Sequence, residues 1–570
     1  MSDRMIHNPI LPGCNPDPNI FTDGRRYYIA VSTFTWVPGV RVYASDDLVD
    51  WRYETSVLAT PALADFAGRP DNMAVWAPMM TWHDGVYYLI YTDVSTTQRP
   101  FADASNYIVT ATDIHGPWSE PVYINGSGFD PSIFFDDDGS MYVVNELWDY
   151  RRATHNKSDG IVLQRLDSNG FQPMGEPRRI FDGTEAAKTE APHIYRHNGR
   201  YYLMTAEGGT GTGHQVTVAR SDSVWGPYEV DPATPMLTSK DRPDWPLQCA
   251  GHGSIVKTPG GEWYMAHLCT RPIDGHAVLG REAALQRVEW TDDGWLRLAG
   301  DGHLPAVDVP APQPSPVILS AEPLSGQPGG LSVGEGSRRQ GGDGLAKPDT
   351  DRGGAEGSLT SPHPAFLDPF TAPSLDPARW NTLRELPGDW LSTGPDGLTI
   401  MPGASPQSPI GQHMVATRQT DFSFRATASL RYEPRTYLDM AGMLLYLDAR
   451  RYLFLAITLD ERLDGQGGPV IARLMENRDG TFAILGDAAL ADEDQEAACE
   501  LAVTVNRATA DFAVNGRTVA TGVDVTFLSG GFTGDFIGLT NVGMNRRMGP
   551  GACPARFERF EYRPLDRAHN

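Results

Sequence analysis

Asp23-Gly24-Arg25-Arg26-Tyr27-Tyr28, Asp84-Gly85-Val86-Tyr87-Tyr88, Asp138-Gly139-Ser140-Met141-Tyr142, Asn198-Gly199-Arg200-Tyr201-Tyr202 and Gly260-Gly261-Glu262-Trp263-Tyr264 are five versions of one phrase: a tight-turn dipeptide, then aromatics. The turn glycines stand 61, 54, 60 and 62 residues apart. Each turn separates short apolar runs, such as Ser132-Ile133-Phe134-Phe135 and Met141-Tyr142-Val143-Val144, which is the signature of a β-hairpin. A weaker echo supports the period: Ala44-Ser45-Asp46, Ala111-Thr112-Asp113 and Ala219-Arg220-Ser221-Asp222 each precede an aromatic by a few residues. Five units of this length, each with several strands, predict a five-bladed β-propeller over about residues 8–300.

The propeller accounts for little more than half of a 570-residue chain, so a second domain is expected. Residues 305–364 hold 11 Gly and 10 Pro and no Phe, Trp or Tyr, too little apolar surface to offset chain entropy, and are expected to be a linker or insertion. Strand patterns resume at Phe424–Leu430, Met443–Tyr446, Tyr452–Ile457 and Leu501–Val505, with hairpin turns at Asp479-Gly480 and Asn515-Gly516. About 200 residues of strand without helix predict a lectin-like, jelly-roll β-sandwich. The expected organisation is all-β: propeller at 1–304, linker at 305–364, sandwich at 365–570.

With 47 Lys+Arg against 72 Asp+Glu, the formal charge is −25. That charge repels nucleic acid and anionic membranes and favours a neutral ligand. Five cysteines without a CxxC pair suggest neither a disulfide framework nor a cysteine zinc site. The N-terminal residues carry no apolar stretch of signal-peptide length, and a cytoplasmic setting is expected.

Just upstream of the five turns lie Asn15-Pro16-Asp17-Pro18, Val75-Trp76-Ala77-Pro78, Gly128-Phe129-Asp130-Pro131, Thr189-Glu190-Ala191-Pro192-His193 and Gly251-His252-Gly253. The first strand of a propeller blade lines the central channel, so these stretches should converge at one end of the axis. Asp17, Trp76, Asp130, Glu190 and His252 are thus delivered to one small volume, from what is taken as a common register. The prolines predict an extended residue before each of them. Alone, an Asp before Pro is most often a turn or cap residue, and a lone Trp or His most often core. Three carboxylates around one axis repel each other unless they are used, which makes the set specific.

These motifs, with Ser32-Thr33-Phe34-Thr35-Trp36, Pro38-Gly39-Val40-Arg41 and Gly280-Arg281-Glu282, appear in an order that resembles glycoside hydrolase family 43, in particular its two-domain β-xylosidases and α-L-arabinofuranosidases. One departure is Ala191, where the family pattern has Gly. The resemblance implies an inverting exo-glycosidase acting on terminal xylose or arabinofuranose of short xylan- or arabinan-derived oligosaccharides. It implies Asp17 as general base, Glu190 as general acid, and Asp130 as the carboxylate that raises the acid's pKa and orients it. Arg281 would bond sugar hydroxyls, Trp76 and Phe34 would offer apolar walls, and His252 would lie beneath the site. No cofactor is required, although the family leaves room for a divalent ion such as calcium near His252. In similar enzymes a sandwich loop closes the pocket with an aromatic, and Phe532 in Gly530-Gly531-Phe532-Thr533-Gly534 is the candidate; packing in the sandwich core is its alternative. Small oligosaccharides are the expected partners, and homo-oligomers built through the sandwich are compatible with the family.

Two rival readings are a fructan-cleaving propeller glycosidase, whose Asn-Asp-Pro-Asn-Gly and Arg-Asp-Pro stretches are not seen, and a non-catalytic carbohydrate-binding protein, which would not need three carboxylates. The glycine-rich Gly208–Gly213 run is followed by no Gly-Lys-Ser/Thr and is expected to be a rim loop near the sugar site rather than a phosphate loop.

Overall fold

The structure, a computed structural model, describes residues 4–300, 302–313, 365–460, 468–491, 498–544 and 553–565. Residues 314–364, most of the expected linker, lie outside the described residues.

Five antiparallel sheets follow one another along the chain, each with its four principal strands in sequence order except for the short insertion in the first. The innermost strands are Asn19–Thr22, Ala74–His83, Ser132–Phe135, Glu190–His197 and Gln248–Lys257. The predicted turns join first to second strands: Asp84-Gly85 and Asn198-Gly199 have both residues at positive φ, the geometry that matches the strands' twist. Because that hairpin lies at one end of each blade, the loop between second and third strands returns to the other end, beside the start of the first strand. Apolar side chains fill the seams between blades; Val42 and Val57 pack with Met80 and Leu89, for example. Among the described residues, the ring closes without a shared strand. Asn8 exchanges two hydrogen bonds with the Leu285 backbone of blade five, and Met5–His7 pairs with Asp308–Pro310. The first described residues of the expected linker therefore belong to the propeller.

The C-terminal residues form two eight-stranded antiparallel sheets, enclosing a core that includes Trp380, Phe424, Leu455, Phe512 and Phe557. One sheet ends in a strand from the propeller: Trp36–Val37, in the blade-one loop, pairs with Asn381–Leu383. Trp36 also stacks on Phe536, ring centroids 4.0 Å apart. Buried arginines cross the seam in both directions. Arg41 donates to the carbonyls of Pro377 and Ala378, while Arg384 and Arg418 donate to those of Arg69 and Cys14. A freely tethered module, the arrangement that a 60-residue linker alone favours, is not what these contacts describe.

Candidate active site

A cavity of about 280 Å³ opens at the end of the propeller where the first strands begin. Asp17, Asp130 and Glu190 all line it, as do Phe34, Trp76, His252, Arg281 and Phe532. The predicted residues are thus brought together, but not in the expected register. Asp17, Ala77, Asp130, Ala191 and His252 share one backbone conformation, with φ of +56°, +36°, +52°, +51° and +56°. The residue before each strand-start proline is therefore left-handed rather than extended. Trp76 and Glu190 stand one position earlier than Asp17 and Asp130. Beyond them the pairing slips, between Trp76 and Met79 and between Glu190 and His193. Bulges of this kind re-aim side chains, which explains how a residue one step out of register reaches the same cavity. The φ of Ala191 also explains why the family pattern has Gly there: a left-handed residue with a Cβ costs about 1–2 kcal/mol.

The three carboxylates have different surroundings. Asp17 is buried and receives Arg281 Nη1 at 2.6 Å and the Ser32 hydroxyl at 2.6 Å; Ser32 in turn accepts the Ala77 amide at 2.7 Å. Burial alone would raise its pKa, but the Arg281 guanidinium, then His252 and Ser32, hold it below the usual aspartate range. Glu190 has no such partner. Burial first, then the charge on Asp17, push it up to about 7 against the opposing pull of Arg281 and Lys188. Asp130 is raised well above its ordinary value, by burial and then by the charges of Glu190 and Asp17. The same cavity thus lowers the proton affinity of Asp17 and raises that of Glu190 and Asp130.

His252 Nδ1 lies 3.6 Å from Asp17 Oδ1, and burial lowers its pKa against the opposing pull of the Asp17 charge. A divalent ion here would meet a carboxylate already paired with Arg281. Among the described residues, no group of three or more His, Cys, Asp or Glu is arranged to hold a metal.

Phe532 comes from the sandwich and forms a wall. Its ring lies parallel to Phe34 at 6.2 Å and edge-on to Trp76 at 5.3 Å, while its carbonyl accepts Arg281 Nε at 3.1 Å. Asn72 holds two sides of this wall: its carbonyl accepts the Trp76 indole at 2.8 Å, and its side-chain oxygen accepts the Phe532 amide at 3.3 Å. Phe532 therefore does not pack in the sandwich core. The rim loop at Gly208–Gly213 also stands where expected, with Gly209 and Thr210 in the lining.

Sequence reasoning missed Ser32, Asn72, Lys188 and Glu146. Ser32 sat within a quoted motif but at the wrong end of it, and Asn72 joins partners 4 and about 460 residues away, which leaves no local signature. Lys188 stands two residues before Glu190. Glu146 is fully buried behind the acid pair, and burial raises its pKa well above the ordinary value. The visible signal was one Glu within the apolar strand Met141–Trp148.

The Glycosyl hydrolases family 43 model matches residues 6–296, and the model of the Beta xylosidase C-terminal Concanavalin A-like domain matches residues 367–563. Xylosidase/arabinosidase 43B of Humicola insolens is 37% identical over 98% of both chains. A Bacillus subtilis beta-xylosidase is 38% identical over 80% of each. The crystal structure of xylan beta-1,4-xylosidase from Bacillus halodurans C-125 superposes with a TM-score of 0.83 at 38% identity, over 98% of this chain and 100% of that one. With the propeller, the sandwich and the carboxylate cavity as described, these matches identify the chain as a glycoside hydrolase that belongs to family 43.

Proposed function

We propose that this enzyme removes a single terminal xylose or arabinofuranose unit from short oligosaccharides, with inversion at the anomeric carbon. Asp17 is the general base, Glu190 the general acid, and Asp130 the neighbour that raises the acid's pKa and orients it. A water gives its proton to Asp17 as its oxygen bonds the anomeric carbon; the glycosidic C–O bond breaks, and Glu190 protonates the departing oxygen. Solvent then returns both groups to their starting states. Arg281 keeps Asp17 ionised and reaches the glycon's hydroxyls, while Phe34, Trp76 and Phe532 shield its apolar faces.

One observation carries this reading: two carboxyls lining one cavity are shifted in opposite directions, Asp17 below its usual range and Glu190 up to about 7. A binding protein gains nothing from that polarity. The relatives' names support the choice of sugars, and the wall built by Phe532 supports removal of one end unit rather than cleavage within a chain.

The decisive experiment assays 4-nitrophenyl β-xyloside and α-arabinofuranoside in parallel and follows the first product by proton NMR. At least one substrate should release sugar of inverted configuration. A retained anomer would require a covalent intermediate and remove Asp17 from the base role. Glu190→Ala should lose about 10²-fold on a poor leaving group and far less on a good one.

A further inference from the structure

The cavity is closed on one side by the sandwich and open on another, and the open side leads somewhere. Thr97 and Arg99, in the second-to-third-strand loop of blade two, and Trp148, at the head of the corresponding loop of blade three, line the cavity. Those two loops are tied together: the Trp148 indole donates to the Pro100 carbonyl at 2.9 Å. Immediately beyond this tie stand Phe101 and Tyr150, one from each loop. Their rings are 5.5 Å apart and tilted by 43°. They are 58% and 54% exposed, among the most exposed large apolar side chains of the described residues. Exposed apolar surface that continues a ligand cavity is a recurrent sign of a binding extension.

We propose that Phe101 and Tyr150 form a platform for the leaving-group side of the substrate, stacking a sugar ring of the oligosaccharide beyond the unit next to the scissile bond. This rests on the glycosidase reading above. The direction follows from that chemistry. The acid must stand next to the departing oxygen, and Glu190 belongs to blade four, so the leaving chain departs on the side of the ring away from Asp17 of blade one and Arg281 of blade five, where the loops of blades two and three can meet it. A pyranose with equatorial hydroxyls presents axial C–H groups on its faces, which pack on aromatic rings while the hydroxyl edge stays in water. A neutral sugar chain also meets no electrostatic penalty from a protein of formal charge −25. A second protein copy is a poorer occupant: two rings beside the exposed Arg151 are far smaller than the roughly 800 Å² per partner of a stable interface.

The test measures kcat/KM along a series from disaccharide to pentasaccharide, of whichever sugar the aryl glycosides identify, for the natural enzyme and for the variant carrying Phe101→Ala and Tyr150→Ala. The natural enzyme should favour the longer members by about tenfold, the scale of a stacked aromatic contact, and the variant should lose that preference. Its activity on the aryl glycoside gauges whether the site itself is intact, and both side chains are exposed enough for the melting temperature to hold. A flat chain-length profile in the natural enzyme, or a loss that is equal on the aryl glycoside and on every oligosaccharide, would overturn the proposal. So would a changed oligomeric state in sedimentation with an unchanged length profile, which would make the rings a subunit contact. Failure to cleave either aryl glycoside would instead overturn the glycosidase reading.

Discussion

At the residue scale, the site depends on which carboxyl keeps its proton. Asp17 must be ionised to accept a proton, and its pKa is held down, so activity should be lost on the acid side only below the ordinary aspartate range. Glu190 must be protonated to act, so kcat/KM should fall as pH rises through about 7. The Lys188 cation favours ionised Glu190 and pulls its pKa down. Lys188→Gln should therefore move the basic limb of the kcat/KM profile to higher pH, and a shift the other way would detach that limb from Glu190. The sequence made the carboxylates legible because the repeat multiplied a weak signal. It could not make legible the single-residue offset of Glu190, because Ala191 takes the left-handed position that Asp17 and Asp130 occupy themselves. Proline was a misleading guide here: a local preference for extended backbone yields to a left-handed residue that all five blades share. Five left-handed residues cost about 5–10 kcal/mol together, which the packed blades around them must offset.

At the scale of elements, the loop that carries Phe532 is set by backbone contact. A Cβ on Gly534 would lie 2.4 Å from the Leu279 carbonyl oxygen, and one on Gly280 would lie 2.6 Å from Gly534 itself. Gly534 does not have a positive φ, so its need for glycine is steric. Gly534→Ala should push the loop away from Arg281 and Phe34 and lower kcat/KM severalfold. The melting temperature should move by only about 2–4 °C, because the sandwich core is untouched. An unchanged kcat/KM would mean that Phe532 does not shape the occupied pocket. Strands and turns were readable from alternation and Asx-Gly pairs, and the Phe532 loop from its flanking glycines. The short strand Trp36–Val37 was not, since two residues are too few to show a period and their partner strand lies far along the chain.

At the scale of the whole molecule, propeller and sandwich share a sheet and exchange buried arginines, so they should melt together. Arg384 is 2% exposed and holds the Arg69 carbonyl, Asp71 and Gln412. Arg384→Ala leaves these groups unpaired and should cost about 3 kcal/mol. Calorimetry should show one transition in the natural protein, with the variant's shifted as a unit or split in two; two independent transitions in the natural protein would show that the seam is not cooperative. The pairing of Thr382 with Val37 also sets a timetable. During synthesis the blade-one strand emerges nearly 350 residues before its partner, and at about 5–20 residues per second the ribosome needs roughly 17–70 s to deliver it. Throughout that interval a nascent propeller presents an unpaired edge with Trp36 uncovered. The sandwich is thus its own chain's late-arriving cover, and slowing or interrupting translation between the two domains lengthens the window in which another nascent chain can take its place.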